Sequence, residues 1–198
     1  MRFETKAVHA GRKVDPVTGA VTTPIHLSTT YERAEDGSYT DGFMYSRGDN
    51  PNRRSLEACL TELENGYDCV TYASGMAAIA SVIESLPAEK SQRIVMADDM
   101  YFGVRTLIGE TDIGRRYDIV TVDMTDLNAV RETVEEADTG LVWMETPSNP
   151  QIKITDIEAV VEIAAEAGAY TVRDNTAATP MLQNPLALGV DFSLHSVT

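Results

Sequence analysis

Asp174 closes an apolar stretch and is followed by Asn175 and Thr176; about twenty residues later a second apolar stretch ends in Ser196-Val197-Thr198. A carboxylate at one strand end and two hydroxyls at the next suit an aromatic, phosphorylated ligand. The carboxylate can pair with a ring nitrogen while the hydroxyls reach phosphate oxygens. An Asp ending a buried strand is costly unless paired, and a charge-assisted bond to a protonated pyridine nitrogen contributes about 1.5–3 kcal/mol.

Four further motifs fit the same ligand. Ser74-Gly75-Met76 joins an apolar run to a helix of small residues; Gly75 lets the backbone approach an anion at the helix start. The helix dipole adds only about 0.5–2 kcal/mol, so it must be one contact among several. Tyr45-Ser46-Arg47 precedes Asn50-Pro51, where Arg47 can clamp a phosphate and Tyr45 add a hydroxyl, or the segment can simply open a helix. Tyr101 follows Asp98-Asp99-Met100 and can stack on a planar ligand, or cap a loop. In Glu145-Thr146-Pro147-Ser148-Asn149-Pro150 two prolines fix a loop that holds Asn149 out as a donor.

The elements that must position these groups alternate. Strands are expected at 68–73, 93–97, 119–122, 141–145, 170–173 and 191–194. Helices are expected from 52 to 64, 75–86, 102–108, 126–137 and 156–167, from apolar spacing and turn signals. This predicts an α/β fold, a mostly parallel sheet with helices on both faces, whose ligands bind beyond the carboxyl ends of the strands. Asp174, Glu145, Ser74 and Asp98 all fall at such ends. Residues 1–44 show little periodicity and read as an extended N-terminal arm, leaving 45–198 as the ligand-binding domain.

Composition narrows the class. The 198 residues include 31 acidic and 16 basic side chains, a net charge of −15, which disfavours nucleic acid as a partner. Only four of the basic residues are lysine. Such a surface suits a high-salt cytoplasm or an ordinary acidic enzyme, and salt dependence of stability separates the two. No run of about 18 apolar residues predicts a membrane span, and the start lacks a signal-peptide core. Cys59 and Cys69 have no metal-ligand spacing, so neither metal nor disulfide is expected, and a reducing cytoplasm is.

In this order and spacing the motifs resemble the pyridoxal-phosphate enzymes of cysteine and methionine metabolism, a family that includes cystathionine γ-synthases, cystathionine γ-lyases, methionine γ-lyases and O-acylhomoserine sulfhydrylases. The resemblance runs from about Thr5 to Thr198, and takes in Glu4–Gly11 and Gln183–Gly189. It implies the fold type I transferase architecture and pyridoxal 5'-phosphate as cofactor. Ser74, Gly75 and Met76 would then hold the phosphate with Ser196 and Thr198; Asn149 would touch the ring hydroxyl and Thr176 lie in the same strip. Tyr101 would stack on the ring and Asp174 pair with its nitrogen. Tyr45 and Arg47 would reach the phosphate of a neighbouring subunit, implying a homo-oligomer, a dimer of dimers. Tyr101, Asp174 and Tyr45 are the catalytic candidates, acting on a small amino-acid substrate. The role of Glu145 stays open. In the family the lysine that carries the cofactor directly follows the Ser-x-Thr, so the position after Thr198 is expected to be lysine.

The resemblance favours γ-replacement or γ-elimination on homoserine esters or cystathionine, as in cystathionine γ-synthases and γ-lyases. Methionine γ-lyases place a cysteine two residues after the stacking tyrosine, where this chain has Gly103. An O-acylhomoserine sulfhydrylase, a methionine γ-lyase despite Gly103, and a catalytically silent fragment or binding subunit are the other readings. Three positions depart from the family pattern, namely Met44, Phe102 and Arg173. Strand alternation puts Arg173 opposite Asp174, where it needs a buried acid or a route to water.

Overall fold

The computed structural model describes residues 1–197. The polypeptide forms two compact units, Met1–Thr71 and Tyr72–Thr198.

The first unit carries α1 (Phe3–His9), α2 (Pro51–Glu64) and a long irregular connection between them. The sequence around α2 explains both its ends. Asn50 accepts a hydrogen bond from Arg53 N (2.8 Å) and Pro51 takes the first turn, where its missing N–H is not needed. At the other end Asn65 turns left-handed and Gly66 N donates back to the Thr61 carbonyl. Lys6 ties α1 to the end of α2 through Asn65 Oδ1 (2.7 Å).

The strand expected at 68–73 is absent. Side chains take its backbone donors instead: Thr71 N bonds Glu57 Oε1 (3.0 Å) and Cys69 N bonds Asp68 Oδ1 (2.8 Å). Local acceptors of this kind compete with a ladder, and apolar alternation does not reveal them.

The second unit is the α/β layer that the sequence predicts. Its elements run α3 (Gly75–Glu84), β1 (Arg93–Ala97), α4 (Phe102–Glu110), α5 (Asp112–Arg116), β2 (Asp118–Val122), α6 (Leu127–Glu135), β3 (Leu141–Glu145), α7 (Ile157–Glu166), β4 (Tyr170–Asp174), α8 (Thr179–Leu182) and β5 (Phe192–Leu194). Five strands pair in the order β2-β1-β3-β4-β5, all parallel. β1 and β3 are buried along their whole length, which explains their apolar runs, 94–97 and 141–144. Alternate side chains serve two cores. Val95, Val142 and Met144 pack with Val130 of α6 and Val160 of α7, while Met96, Trp143 and Val172 pack with Ile83 of α3 and Val104 of α4. The helices are capped by the side chains that precede them: Ser74 for α3, Asp126 for α6 and Asp156 for α7. α5 and α8 are too short to show periodicity, and neither was expected.

The chain reverses direction across the sheet between β1 and β3. In a doubly wound sheet this opens a crevice at the carboxyl ends of the strands. The segment leaving β1 there carries Tyr101, and β3 ends there in Glu145. No helix among the described residues is long and apolar enough to cross a membrane.

Candidate active site

The strand ends meet in register. Glu145 pairs with Asp174, and Asp174 with Leu194, so the groups that follow β3, β4 and β5 emerge level with one another. Asp174 is 7% exposed; its Oδ1 accepts Thr176 N (2.9 Å), and no hydrogen bond from a described residue reaches its other oxygen. Thr176 continues the chain of contacts, its Oγ1 accepting Ser196 N (2.8 Å). Ser196 in turn lies against Gly75. A Cβ built on Gly75 would stand 2.7 Å from the Ser196 Cβ and 2.8 Å from its Oγ, so only glycine fits there. Asp174, Thr176, Ser196 and the start of α3 therefore form one continuous strip. Thr198, the second hydroxyl of the sequence motif, lies outside the described residues.

At the start of α3, Ser74 Oγ accepts Ala77 N (3.1 Å), and Ala78 N bonds the Ser74 carbonyl. The N–H groups of Gly75 and Met76 occupy the first two helical positions, which have no carbonyl partner within the helix. Met76 leads on to the other wall. A Cβ on Gly103 would lie 2.8 Å from Met76 Sδ and 2.5 Å from Tyr101 Cε1, so the Tyr101 ring rests where a larger residue would stand. That ring is 44% exposed, leaving a face for a ligand. Its backbone is anchored, with Tyr101 N donating to Glu145 Oε2 (2.8 Å).

Glu145 is the residue whose role the sequence left open. It is 6% exposed, and burial pushes its carboxyl up to about 7; the Tyr101 N–H opposes this, Asp174 and Asp99 add to it, and the Asn149 N–H opposes it again. Its partner Tyr101 is 44 residues away in sequence, so no local pattern announces the contact. The available signal was an acidic residue ending a wholly apolar strand beside one that ends in Asp. Asn149 is exposed on the loop that follows.

Arg173 is fully buried on the other side of β4. It donates to the Asp174 carbonyl oxygen (2.7 Å), to Asn175 Oδ1 and to Gln183 Oε1, so neutral oxygens supply much of its coordination. Tyr45 and Arg47 belong to the first unit. Tyr45 is half-buried, its carbonyl accepting Gly48 N (2.9 Å), and the Arg47 guanidinium lies 4.7 Å from the centre of its ring.

These groups fit pyridoxal phosphate. The Gly75 backbone lies against Ser196 with no room for a Cβ, the arrangement a phosphate cradle needs. Asp174 is a buried carboxylate with an oxygen to spare for a protonated ring nitrogen. Tyr101 offers a half-exposed ring.

Known proteins give the same answer. The chain is 43% identical over 199 aligned residues to a cystathionine β-lyase of Coxiella burnetii, spanning 99% of this chain and 50% of that one. It is 40% identical to a probable cystathionine γ-synthase of Herpetosiphon aurantiacus, spanning 99% and 60%. The crystal structure of a cystathionine γ-lyase from Micromonospora echinospora superposes with a TM-score of 0.88 at 40% identity, over 98% of this chain and 50% of that one. The chain thus spans about half the length of most of the relatives it matches. Residues 4–198 match the description "Cys/Met metabolism PLP-dependent enzyme", and the chain belongs to that family, whose cofactor is pyridoxal phosphate.

Proposed function

We propose that this chain forms the cofactor-binding part of a trans-sulfuration enzyme that performs γ-replacement or γ-elimination on homoserine esters or cystathionine. The observation that carries the reading is the continuous strip from Asp174 through Thr176 and Ser196 to Gly75, faced by the Tyr101 ring.

Pyridoxal phosphate, when bound, supplies an electron sink for the carbanion chemistry of an amino-acid substrate. Each residue then has one task. Asp174 keeps the ring nitrogen protonated, because a buried carboxylate favours the cation beside it. Gly75 and Met76, following the Ser74 cap, give backbone N–H groups to the phosphate, and Ser196 and Thr198 add hydroxyls. Tyr101 covers one ring face and excludes water there, and Asn149 serves the ring hydroxyl. The lysine that carries the cofactor is expected directly after Thr198. Tyr45 and Arg47 serve the phosphate of a neighbouring protomer, so the active unit is a homo-oligomer, a dimer or a dimer of dimers. The strongly exposed apolar side chains of the first unit, Val17, Ile25 and Leu27 among them, support burial in such an assembly. The 1–44 arm would contribute that contact and 45–198 the cofactor domain. The free thiols Cys59 and Cys69 suit a reducing cytoplasm.

The relatives carry β-lyase, γ-synthase and γ-lyase names at 40–43% identity, so their names do not choose the reaction. Gly103 bears on one option. A Cβ there meets the Tyr101 ring, which counts against the cysteine of methionine γ-lyases.

The test is an absorption spectrum of the full-length protein before and after borohydride, with intact mass. A visible Schiff-base band that reduction traps as added mass is expected. Activity assays then compare cysteine with sulfide as nucleophile on an O-acylhomoserine, and cystathionine as the substrate for elimination. Sulfide preference would make the enzyme a sulfhydrylase; absence of band and mass would leave a silent binding subunit.

A further inference from the structure

Two segments leave adjacent strands at the crevice, 98–101 after β1 and 146–153 after β3, and they bond each other in a crossed pattern. Glu145, at the end of β3, accepts the Tyr101 N–H of the β1 segment (2.8 Å). Asp99, in the β1 segment, accepts from the β3 segment, from the Ser148 hydroxyl and from Gln151 N (2.9 Å). The β3 segment is closed on itself by Ser148 N to the Lys153 carbonyl (3.0 Å) and Lys153 N to Ser148 Oγ (2.9 Å). Lys153 Nζ then reaches back to Asp98 (3.0 Å).

Both crossed acceptors are carboxylates taken out of water, Asp99 at 1% exposure and Glu145 at 6%. A plain connection has no use for two buried acids, since each costs desolvation that a backbone or hydroxyl acceptor would avoid. What the arrangement does is fix the two segments that carry the ring-facing residues. Tyr101 stands on one of them, Asn149 on the other, and Asp174 lies in register with Glu145 on the next strand.

We propose that Glu145 and Asp99 are positioning residues, a crossed carboxylate clasp that holds Tyr101 and Asn149 at a fixed separation over Asp174. This rests on the reading of the site as a pyridoxal-phosphate site and adds to it the parts that set its width. Glu145 has a second effect through its charge. It pairs in register with Asp174 of β4 and lines one small cavity with Asp98 and Asp99 of the β1 segment and Lys153 of its own loop, so above about pH 7, where it is ionised, it adds negative potential where Asp174 meets the ring nitrogen.

The experiment uses the full-length protein loaded with pyridoxal phosphate and three variants, Glu145→Gln, Glu145→Ala and Asp99→Ala. Cofactor affinity is read by dialysis, ring environment by visible circular dichroism, and the pH midpoint of the cofactor band by titration. Glu145→Ala and Asp99→Ala each lose an acceptor between the segments, and affinity is expected to fall about tenfold with weaker visible dichroism. Their double variant falls by less than the product of the two, because either break frees the same pair of segments. Glu145→Gln keeps an oxygen for the Tyr101 N–H, so affinity stays within about threefold of wild type, while loss of the charge moves the band midpoint to lower pH. Should Glu145→Ala misfold by far-ultraviolet dichroism, affinity and visible dichroism in Asp99→Ala, the other half of the clasp, still decide. Wild-type affinity and dichroism in Glu145→Ala or in Asp99→Ala would overturn the clasp, and an unmoved midpoint in Glu145→Gln would overturn the charge effect. A wild-type protein that takes up no cofactor would instead overturn the reading of the site itself.

Discussion

The two units of the chain place their apolar side chains in opposite ways. In the 72–198 unit, β1 and β3 are sealed on both faces, and Trp143, Met96, Met144 and Ile83 are fully buried. In the 1–71 unit, among the described residues only Ala10 and Glu64 are buried, while Val17, Ile25 and Leu27 stand 84–90% exposed. A parallel sheet forces the first outcome, because its crossover helices cover both faces. Nothing comparable organises the 10–50 region, which holds turns, isolated bridges, one short 3-10 helix (Thr40–Gly42) and side-chain bonds to α2 such as Ser55 Oγ to the Gly11 carbonyl. One unit thus carries its own core and the strip around Asp174. The other carries Tyr45 and Arg47, held by local contacts, in a unit whose large apolar side chains are mostly left exposed, the unit proposed to meet a partner protomer.

The largest effect should come from separating these two contributions. Asp174→Ala removes the carboxylate proposed to hold the ring proton, and activity is expected to fall by about 10²–10³-fold or more. Arg47→Ala is expected to fall comparably if its guanidinium serves the neighbour's phosphate. Neither loss need be permanent. When the two inactive variants are mixed and reassembled, a mixed dimer has one site with both residues intact. Recovery of roughly a quarter of wild-type activity is expected from random pairing. No recovery would place Arg47 in the same site as Asp174 of its own chain and break the comparison.

A smaller effect contrasts the cores. Trp143→Ala is expected to cost about 3–5 kcal/mol in denaturant unfolding, because it empties the layer between β3 and α3. Leu27→Ala, at 89% exposure, should change unfolding of the single protomer by less than about 0.5 kcal/mol. Its effect should appear in sedimentation, as weaker association. Equal losses from both substitutions would mean that the first unit has a core after all.

The sequence was informative in proportion to burial. The bounds of β1 and β3 follow from apolar runs that end in charge, and α2, α3, α6 and α7 announce themselves by capping residues at their starts. Gly75 and Ser196 are legible for the same reason, since both follow directly from strand and helix ends. The 68–73 strand was misread because Glu57 and Asp68 capture backbone donors through side chains, which hydrophobic spacing does not encode. The role of Glu145 was hidden because its partners, Tyr101 and Asp174, are brought to it by topology alone. Arg173 was correctly placed opposite Asp174 by alternation, but the neutral oxygens of Asn175 and Gln183 that receive it depend on the turn after β4.

The smallest effect tests whether burial, and not membership of a unit, decides what a contact is worth. Lys153 in the second unit bonds Asp123 Oδ2 (2.9 Å) and Asp98 (3.0 Å), yet both carboxylate side chains are 42% exposed. The Lys153 ammonium, and then the Thr125 N–H and hydroxyl, hold the Asp123 carboxyl down at about 2; Asp123 and Asp98 in turn raise the Lys153 ammonium. A folded-state value below the ordinary 3.8 means that this contribution is fully present above 3.8 and is lost as pH falls through about 2. The raised ammonium adds stability that is present below its ordinary 10.5 and is lost as pH climbs past its folded value. Water and salt screen a pair this exposed, so Lys153→Met should lower stability only slightly at pH 7 and low ionic strength, the smallest loss of the three. The difference from wild type should shrink at high salt, and again below pH 2. Thermal unfolding across those conditions measures it. A loss as large as that of Trp143→Ala that survives high salt would mean that the Lys153 tie is part of the buried clasp, and the boundary between core and surface in this unit would have to move outward to include it.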